Sequence, residues 1–179
     1  MKIKPTSKSG GVLVELGPLE QQIPEQPAPV FRLKKILVPV DFSDCSKKAL
    51  QYAIPFARQF GAELVLVHIV QPYPAVPEMA PVDVETIQDG KAEIESLRRG
   101  IAKDVPTSGS VRTGAPPTEI ARAARELDID LIIISTHGHT GLTHALLGST
   151  AEKVARYAPC PVLIVRESER EFVPGDVVN

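Results

Sequence analysis

The stretch LIIISTHGHTGLTHALLGSTAE, residues 131–152, joins an apolar run to a segment rich in glycine, hydroxyl groups and histidine. The apolar residues 131–134 are typical of a strand that is buried on both faces of a parallel sheet. The segment that follows does not continue this strand, and regular structure resumes at GSTAE, residues 148–152. Because open parallel sheets bind their ligands beyond the carboxyl ends of the strands, we expect a functional site in this stretch.

Other short apolar runs lie on either side of this stretch and alternate with segments of helical periodicity. Wholly apolar strands separated by helices indicate a parallel sheet that is covered on both faces. The sequence therefore predicts an α/β fold with one open-twisted, Rossmann-like sheet of parallel strands and helices on both faces. The five predicted strands are ILVPV (36–40), ELVLVHIV (63–70), SGSVRTG (108–114), LIII (131–134) and PVLIV (161–165).

Helices are predicted between these strands from apolar residues at helical spacing. The first begins at Ser43 or Asp44 and stops at Gly61. It should kink at Pro55, because proline lacks the backbone donor of a helix interior. Pro117 suits the first turn of the third helix. The second helix carries the stripe Ile87, Ile94, Leu97 and Ile101, and the fourth is STAEKVARYA, residues 149–158.

The two ends of the chain differ in composition from the part between them. Residues 1–34 are rich in proline and glutamine and indicate an arm, either a flexible tail or a clasp on a partner subunit. Within it, GVLVELG (11–17) could form a short edge strand. The domain itself is expected over residues 35–166, followed by a charged tail at 167–179. Prolines make residues 71–82 an extended loop after the second strand.

Composition places the chain among ordinary globular proteins. It has 179 residues, 43% of them hydrophobic, and a net charge of -2 at pH 7. This charge does not favour nucleic acid or anionic membranes as partners, and no apolar run approaches the roughly 20 residues that span a bilayer. The amino terminus lacks the apolar core of a secretory signal, so we expect a cytoplasmic protein. Cys45 and Cys160 fall at opposite ends of the predicted sheet and should not pair.

Glycines in the opening stretch allow the backbone to approach a ligand closely. Gly138 and Gly148 place no Cβ between their amides and a bound group. A helix that begins at Ser149 offers free amides and the positive end of its dipole, which favour an anion such as phosphate. The same residues also form a capping box, in which Ser149 caps the helix and Glu152 reaches back. Both interpretations stay open on these local features.

An aspartate and four histidines are the other candidates. Asp41 follows the first strand, where a carboxylate accepts hydrogen bonds from ribose hydroxyls; its alternative role is to cap the first helix. His137, His139 and His144 lack the spacing of a common metal site, and a phosphate contact suits the first two better. His68 lies in an apolar strand and is expected to be a packed strand residue. The nucleophile motif of a Ser–His–Asp hydrolase is missing.

Several motifs occur in order at fitting distances: KKILVPVDFS, AELVLVHIV, DLIIISTHGHTGL, LLGSTAEKV and APCPVLIVR. Together they resemble the universal stress protein family over about residues 34–166. That resemblance implies the strand order 3-2-1-4-5 and, in one branch of the family, ATP binding through a loop written G-x2-G-x9-G-[ST]. Gly138, Gly148 and Ser149 match the latter part of this pattern, whereas Ser135 stands where it has its first glycine.

The resemblance also implies what the individual positions do. ATP would bind with Mg²⁺ or Mn²⁺ bridging its phosphates, and the loop at 71–82 would lie over the adenine. Ser135 would add a Cβ and a hydroxyl close to the phosphates. Asp41 would face the ribose, and Val40 and Ile69 would contact the adenine. The backbone at Gly138 and Gly148 would hold the phosphates. Ser149 and Thr150 would add hydroxyls or amides at the start of the fourth helix.

Two classes of function follow from the sequence. The first is an ATP-binding stress-response regulator in which the nucleotide sets conformation or the choice of an unknown protein partner. The second is an interaction module of the same fold that binds no nucleotide. A slow ATPase is a third option, which is less favoured because no residue is an obvious base to activate water. An apolar last strand, Val162 to Val165, lies at the sheet edge in the order 3-2-1-4-5, so we expect two copies to pair there as a homodimer.

Overall fold

The structure of the protein, a computed structural model, consists of two compact units, Met1–Phe31 and Arg32–Asn179. The residues that the structure describes are 2–5, 12–15, 32–72, 84–136 and 148–166.

In the first unit two short strands form an antiparallel ribbon. β1 spans Lys2–Pro5 and β2 spans Val12–Glu15, with Lys2 opposite Glu15. The sequence indicated β2 but not β1, because KIKP combines two lysines with a proline and has the composition of a loop. β1 owes its strand conformation to its backbone pairing with β2, which local composition does not reveal.

In the described part of the second unit, parallel strands alternate with helices along the chain. These elements agree in number and type with the sequence prediction, and their boundaries differ from it by a few residues. In chain order they are β3 (Lys35–Pro39), α1 (Asp44–Phe60), β4 (Glu63–Val70), α2 (Val84–Ile101), β5 (Thr107–Thr113), α3 (Pro116–Glu126), β6 (Leu131–Ser135), α4 (Ser149–Tyr157) and β7 (Val162–Val165).

The strands of the second unit form one sheet in the order β5-β4-β3-β6-β7, with every neighbouring pair parallel. Counting only these strands, the order is 3-2-1-4-5, which confirms the prediction. From the central β3 the chain winds to β4 and β5 on one side and then returns to β6 and β7 on the other. The carboxyl ends of β3 and β6 therefore border the crevice where ligands of such sheets bind.

Helices cover both faces of this sheet. α1 and α2 pack on the face that carries Ile36 and Val38, and α3 and α4 pack on the face that carries Leu37. All three side chains are fully buried, and burying one such side chain stabilises a fold by roughly 1.5–3 kcal/mol. Alternate residues of the central strand thus hold helices on opposite sides of the crevice.

The ends of the helices follow local sequence signals. The Ser43 hydroxyl caps α1 by accepting a hydrogen bond from the Ser46 amide at 3.2 Å. α1 ends at Gly61, which takes the left-handed conformation with φ of 65°. The helix runs through Pro55 as one element, since proline removes only one backbone bond from the ladder. No helix in the described ranges has an apolar stretch long enough to cross a membrane.

Candidate functional site

A cleft of about 640 Å³ lies at the carboxyl ends of β3, β4 and β6. Four helices complete its wall: α1 contributes Ser46, α2 contributes Thr86, α3 contributes Pro116 and Ile120, and α4 contributes its first turn. The volume lies within the range of roughly 300–1,000 Å³ that ligand pockets span. The strand order predicts a ligand site at the carboxyl ends of the strands, and the cleft lies at that same place. We therefore take this cleft as the candidate site.

The segment after β3 presents a carboxylate to the cleft. Asp41 Oδ1 accepts two hydrogen bonds from Ser43, one from its amide at 3.1 Å and one from its hydroxyl at 2.5 Å. Because Ser43 is itself the cap of α1, Asp41 braces the helix start without being the cap. Asp41 also lines the cleft, so the two roles considered for this residue are compatible.

His68 lies near the end of β4 and is half-buried in the cleft wall. Its Nδ1 atom donates to the Val40 carbonyl oxygen at 2.8 Å. A carbonyl oxygen can only accept, so this nitrogen carries a proton. The centroid of the imidazole ring lies 4.5 Å from the centroid of the Phe42 ring, and the two ring planes are inclined by 38°. His68 is packed, as the sequence suggested, but it is also part of the site.

The end of β6 and the start of α4 are joined by backbone hydrogen bonds. The Thr136 amide donates to the Val165 carbonyl at 2.9 Å, and the Thr136 carbonyl accepts from the Gly148 amide at 2.9 Å. Ser135, the last residue of β6, is half-buried and lines the cleft. The chain therefore leaves the sheet at Thr136 and returns to the same point at Gly148.

α4 begins at Ser149, with Gly148 as its N-cap and therefore no cap hydrogen bond from an N-cap side chain. The capping-box interpretation is therefore wrong, and the Glu152 carboxylate pairs instead with Arg156 at 3.1 Å. The S-x-x-E spacing misleads because the helix starts one residue earlier than a Ser149 cap requires. Since no side chain caps the helix, its first amides and the positive end of its dipole favour an anion at the cleft wall.

Another part of the cleft lining is apolar. It is formed by Val40 and Ile69 at the ends of β3 and β4, Val70 beside them, Ile134 of β6 and Ile120 of α3. Such a surface suits a planar base, whereas carboxylate, hydroxyl and amide groups suit a sugar and an anionic group. The lining therefore fits a ligand with both apolar and charged parts.

The cleft brings together most of the residues selected from the sequence. Gly138, the histidines at 137, 139 and 144, and all but the start of the loop at 71–82 lie outside the described residues. The selected residues that line the cleft are Val40, Asp41, Ile69, Ser135, Gly148, Ser149 and Thr150.

Phe42, His68 and Thr136 are among the residues of the cleft wall that sequence reasoning did not select. Phe42 has a φ of 64°, a conformation that its residue type gives no reason to expect. A usable signal existed for His68, since it is a polar residue within the apolar run of β4. Thr136 becomes part of the site through backbone bonds that connect it to Val165 and Gly148.

No metal-binding side-chain cluster occurs in the described part of the chain: no three His, Cys, Asp or Glu residues are grouped to hold an ion. Cys45 and Cys160 form no disulfide with each other, as predicted. Burial and then the nearby charge of Asp130 raise the pKa of Cys160. The lining of the cleft also contains no lysine or arginine among the described residues.

Residues 32–166 match the family model of the universal stress protein family. A universal stress protein of Methanocaldococcus jannaschii is 35% identical over 145 residues, which cover 77% of this chain and 85% of that protein. The solved structure of UspA from Lactobacillus plantarum has a TM-score of 0.69 at 27% identity and covers 76% of this chain and 100% of its own.

A universal stress protein from Archaeoglobus fulgidus, solved in complex with dAMP, shares the fold with a TM-score of 0.56. It is 24% identical, and the likeness covers 75% of this chain and 98% of that one. The family match spans the whole described sheet and the cleft at its carboxyl edge. The chain belongs to the universal stress protein family.

Proposed function

We propose that the protein is a cytoplasmic stress-response regulator whose cleft binds ATP. In this proposal the nucleotide changes the conformation of the protein or its choice of protein partner. One observation carries the proposal: the uncapped start of α4, the Asp41 carboxylate and an apolar wall line the same cleft. These three features fit the phosphates, the ribose and the base of one nucleotide.

Each part of ATP has residues of suitable chemistry in the cleft. Val40 and Ile69 offer apolar surface to adenine, and Asp41 offers acceptors to the ribose hydroxyls. The phosphates would lie against the amides of Gly148 and the first turn of α4, with hydroxyls from Ser135, Ser149 and Thr150, and with Gly138 contributing backbone as the family loop pattern implies. The dAMP complex of the Archaeoglobus fulgidus protein supports an adenine nucleotide as the class of ligand.

Charge balance favours a divalent cation with the nucleotide. The described cleft residues include no lysine or arginine, and a helix amino terminus supplies only about half of one positive charge. The described residues of the cleft therefore do not by themselves balance the charge of a triphosphate. Mg²⁺ or Mn²⁺ held by the phosphates supplies the missing positive charge when ATP is bound.

Replacing Gly148 tests the phosphate contact directly. Gly148 has φ of -64° and ψ of 144°, which valine also adopts, so Gly148→Val should fold normally. Its branched side chain would keep phosphates from the backbone, and we expect ATP affinity in calorimetry with Mg²⁺ to fall by about tenfold or more, as for lost charge-assisted hydrogen bonds. Gly100→Val is the matched control, because a Cβ added there would meet no atom within 4 Å. Equal affinity in wild type and Gly148→Val would contradict the proposal.

The alternative functions give different results with the purified protein. Native mass spectrometry after purification without added nucleotide should show bound adenine nucleotide. A chain that stays empty and shows no calorimetric signal with ATP is instead an interaction module of the same fold. Release of phosphate from Mg-ATP that disappears in Gly148→Val would identify the slow ATPase.

A further inference from the structure

His68 contacts both residues that flank Asp41 in the chain. On one side its Nδ1 donates to the Val40 carbonyl at 2.8 Å, and on the other its ring contacts that of Phe42. The Val40 amide is also held from β4, since it donates to the Val67 carbonyl at 2.9 Å. Both backbone polar groups of Val40 are therefore fixed by β4, one residue before the carboxylate.

The backbone around Asp41 needs such support. Phe42 has a φ of 64°, in the left-handed region that side chains other than glycine, asparagine and aspartate rarely adopt. A residue of this kind persists only when its surroundings hold it there. The contact with the His68 ring supplies part of that support, and the two hydrogen bonds from Ser43 to Asp41 and the packing of Phe42 against the core add to it.

Gly90 of α2 leaves room for this ring. Gly90 is buried in the interior of α2, where glycine weakens a helix relative to alanine. A Cβ added at Gly90 would lie 2.9 Å from His68 Cδ2 and would force a shift. The glycine is thus explained by the histidine. Gly100 of the same helix has nothing within 4 Å of an added Cβ.

We infer that His68 is a positioning residue for the nucleotide site, acting through Val40 and Phe42 to hold the Asp41 carboxylate where it meets the ribose. Gly90 leaves the space that the ring occupies. The position of α2 therefore affects where the ring lies and, through the ring, where the Asp41 carboxylate lies. This inference rests on the proposed function, because it assigns His68 a part in recognising the ribose of an adenine nucleotide.

Substitutions of His68 separate positioning from general stability. His68→Leu removes the donor and should weaken ATP binding about five- to tenfold, the effect of one hydrogen bond, while leaving 2′,3′-dideoxy-ATP nearly unaffected. In His68→Asn the amide nitrogen takes the place of Nδ1, so affinity for ATP should return towards wild type. A purely structural role would lower the affinities for both nucleotides equally, and that result, or no change in either, would overturn the inference.

A matched glycine pair tests the contact without removing the histidine. Gly90→Ala should displace the ring and reduce ATP affinity severalfold, as a strained hydrogen bond loses strength, although alanine favours the helix. Gly100→Ala should leave affinity unchanged. Equal affinity in the two variants would contradict the role of Gly90.

Amide hydrogen exchange in nucleotide-free protein keeps this inference distinct from the proposed function. The Val40 and Ser43 amides are hydrogen-bonded in the structure, and in His68→Leu both should exchange about tenfold faster than in His68→Asn. If wild type binds neither nucleotide, the proposed function fails and so does the ribose role of His68. If wild type binds ATP and exchange is the same in both variants, only the positioning role fails.

Discussion

Ser135 stands where the family's ATP-binding loop pattern has its first glycine, at the end of β6 and in the cleft wall. We predict that Ser135→Gly weakens ATP binding slightly, by about 0.5–1 kcal/mol, because a hydroxyl that can donate to phosphate is lost. The measurement is the calorimetric dissociation constant with Mg²⁺. Ser135→Ala is the control, since it removes the hydroxyl and keeps the Cβ. Tighter binding in Ser135→Gly alone would show that the Cβ crowds the phosphates instead.

At this scale the sequence predicted residue types better than their precise roles. Asp41 was selected because a carboxylate after a parallel strand can accept hydrogen bonds from ribose hydroxyls, with capping of α1 as its alternative role. Ser149 was one possible cap in the sequence, whereas Gly148 is the N-cap and its carbonyl accepts the first helical hydrogen bond from the Glu152 amide. His68 was assigned to packing because its partner, the Val40 carbonyl, is brought to it by strand pairing and not by sequence proximity.

At the scale of single elements, α2 carries an ion-pair cluster that gives a pH prediction. Arg98 holds Glu95 through two hydrogen bonds of 2.7 and 2.8 Å, and Arg99 adds one of 3.1 Å. The hydrogen bond from Arg98 is the largest cause that lowers the pKa of Glu95 from 4.5 to about 2. The cluster therefore stabilises the folded chain fully above pH 4.5, and this contribution is lost as the pH falls through about 2.

Carboxyl NMR of the folded protein measures this directly. The Glu95 resonance should titrate far below 4.5 in wild type, and its midpoint should rise in Arg98→Gln. Arg122→Gln on α3 is the control, because Arg122 pairs with Glu119 and not with Glu95. A midpoint for Glu95 that does not move in Arg98→Gln would mean that the pair does not form in solution.

Among the elements, those with a clear apolar period were predicted, and β1 was not. The apolar stripe of α1 predicted this helix correctly although Pro55 lies within it. Burial of Ala49, Leu50 and Ala53 outweighs the one backbone hydrogen bond that proline cannot make. β5 was the weakest of the predicted strands, and it is half-exposed along most of its length at the edge of the sheet. Apolar periodicity in the sequence thus indicates which elements are buried. A strand without that periodicity forms through backbone pairing with its neighbour, which the local sequence does not reveal.

At the scale of the whole molecule, the open side of β7 supports the expected homodimer. In the described part of the chain β7 pairs only with β6. The carbonyls of Pro161 and Val165 accept bonds from the β6 side, and alternate residues of a strand direct their backbone groups to opposite sides. The backbone groups of Val162 and Ile164 therefore face the open edge, where a second copy can pair antiparallel with them.

We predict a dimer whose stability depends on that edge. Ile164→Pro removes an edge-facing donor without touching the bonds to β6, and it should shift the protein towards monomer in sedimentation velocity. Ile164→Ala is the matched control, because it loses the same side chain and keeps the amide. A wild-type chain that stays monomeric at high micromolar concentration would contradict the prediction, as would equal dissociation of the two variants.

The backbone bond between Thr136 and Gly148 has a consequence for how this family can vary. Because the bond joins the end of β6 directly to the start of α4, the register of the sheet does not depend on how many residues the chain has between Thr136 and Gly148. We predict that exchanging residues 137–147 between relatives, while keeping Thr136 and Gly148, transfers ligand preference from one protein to another.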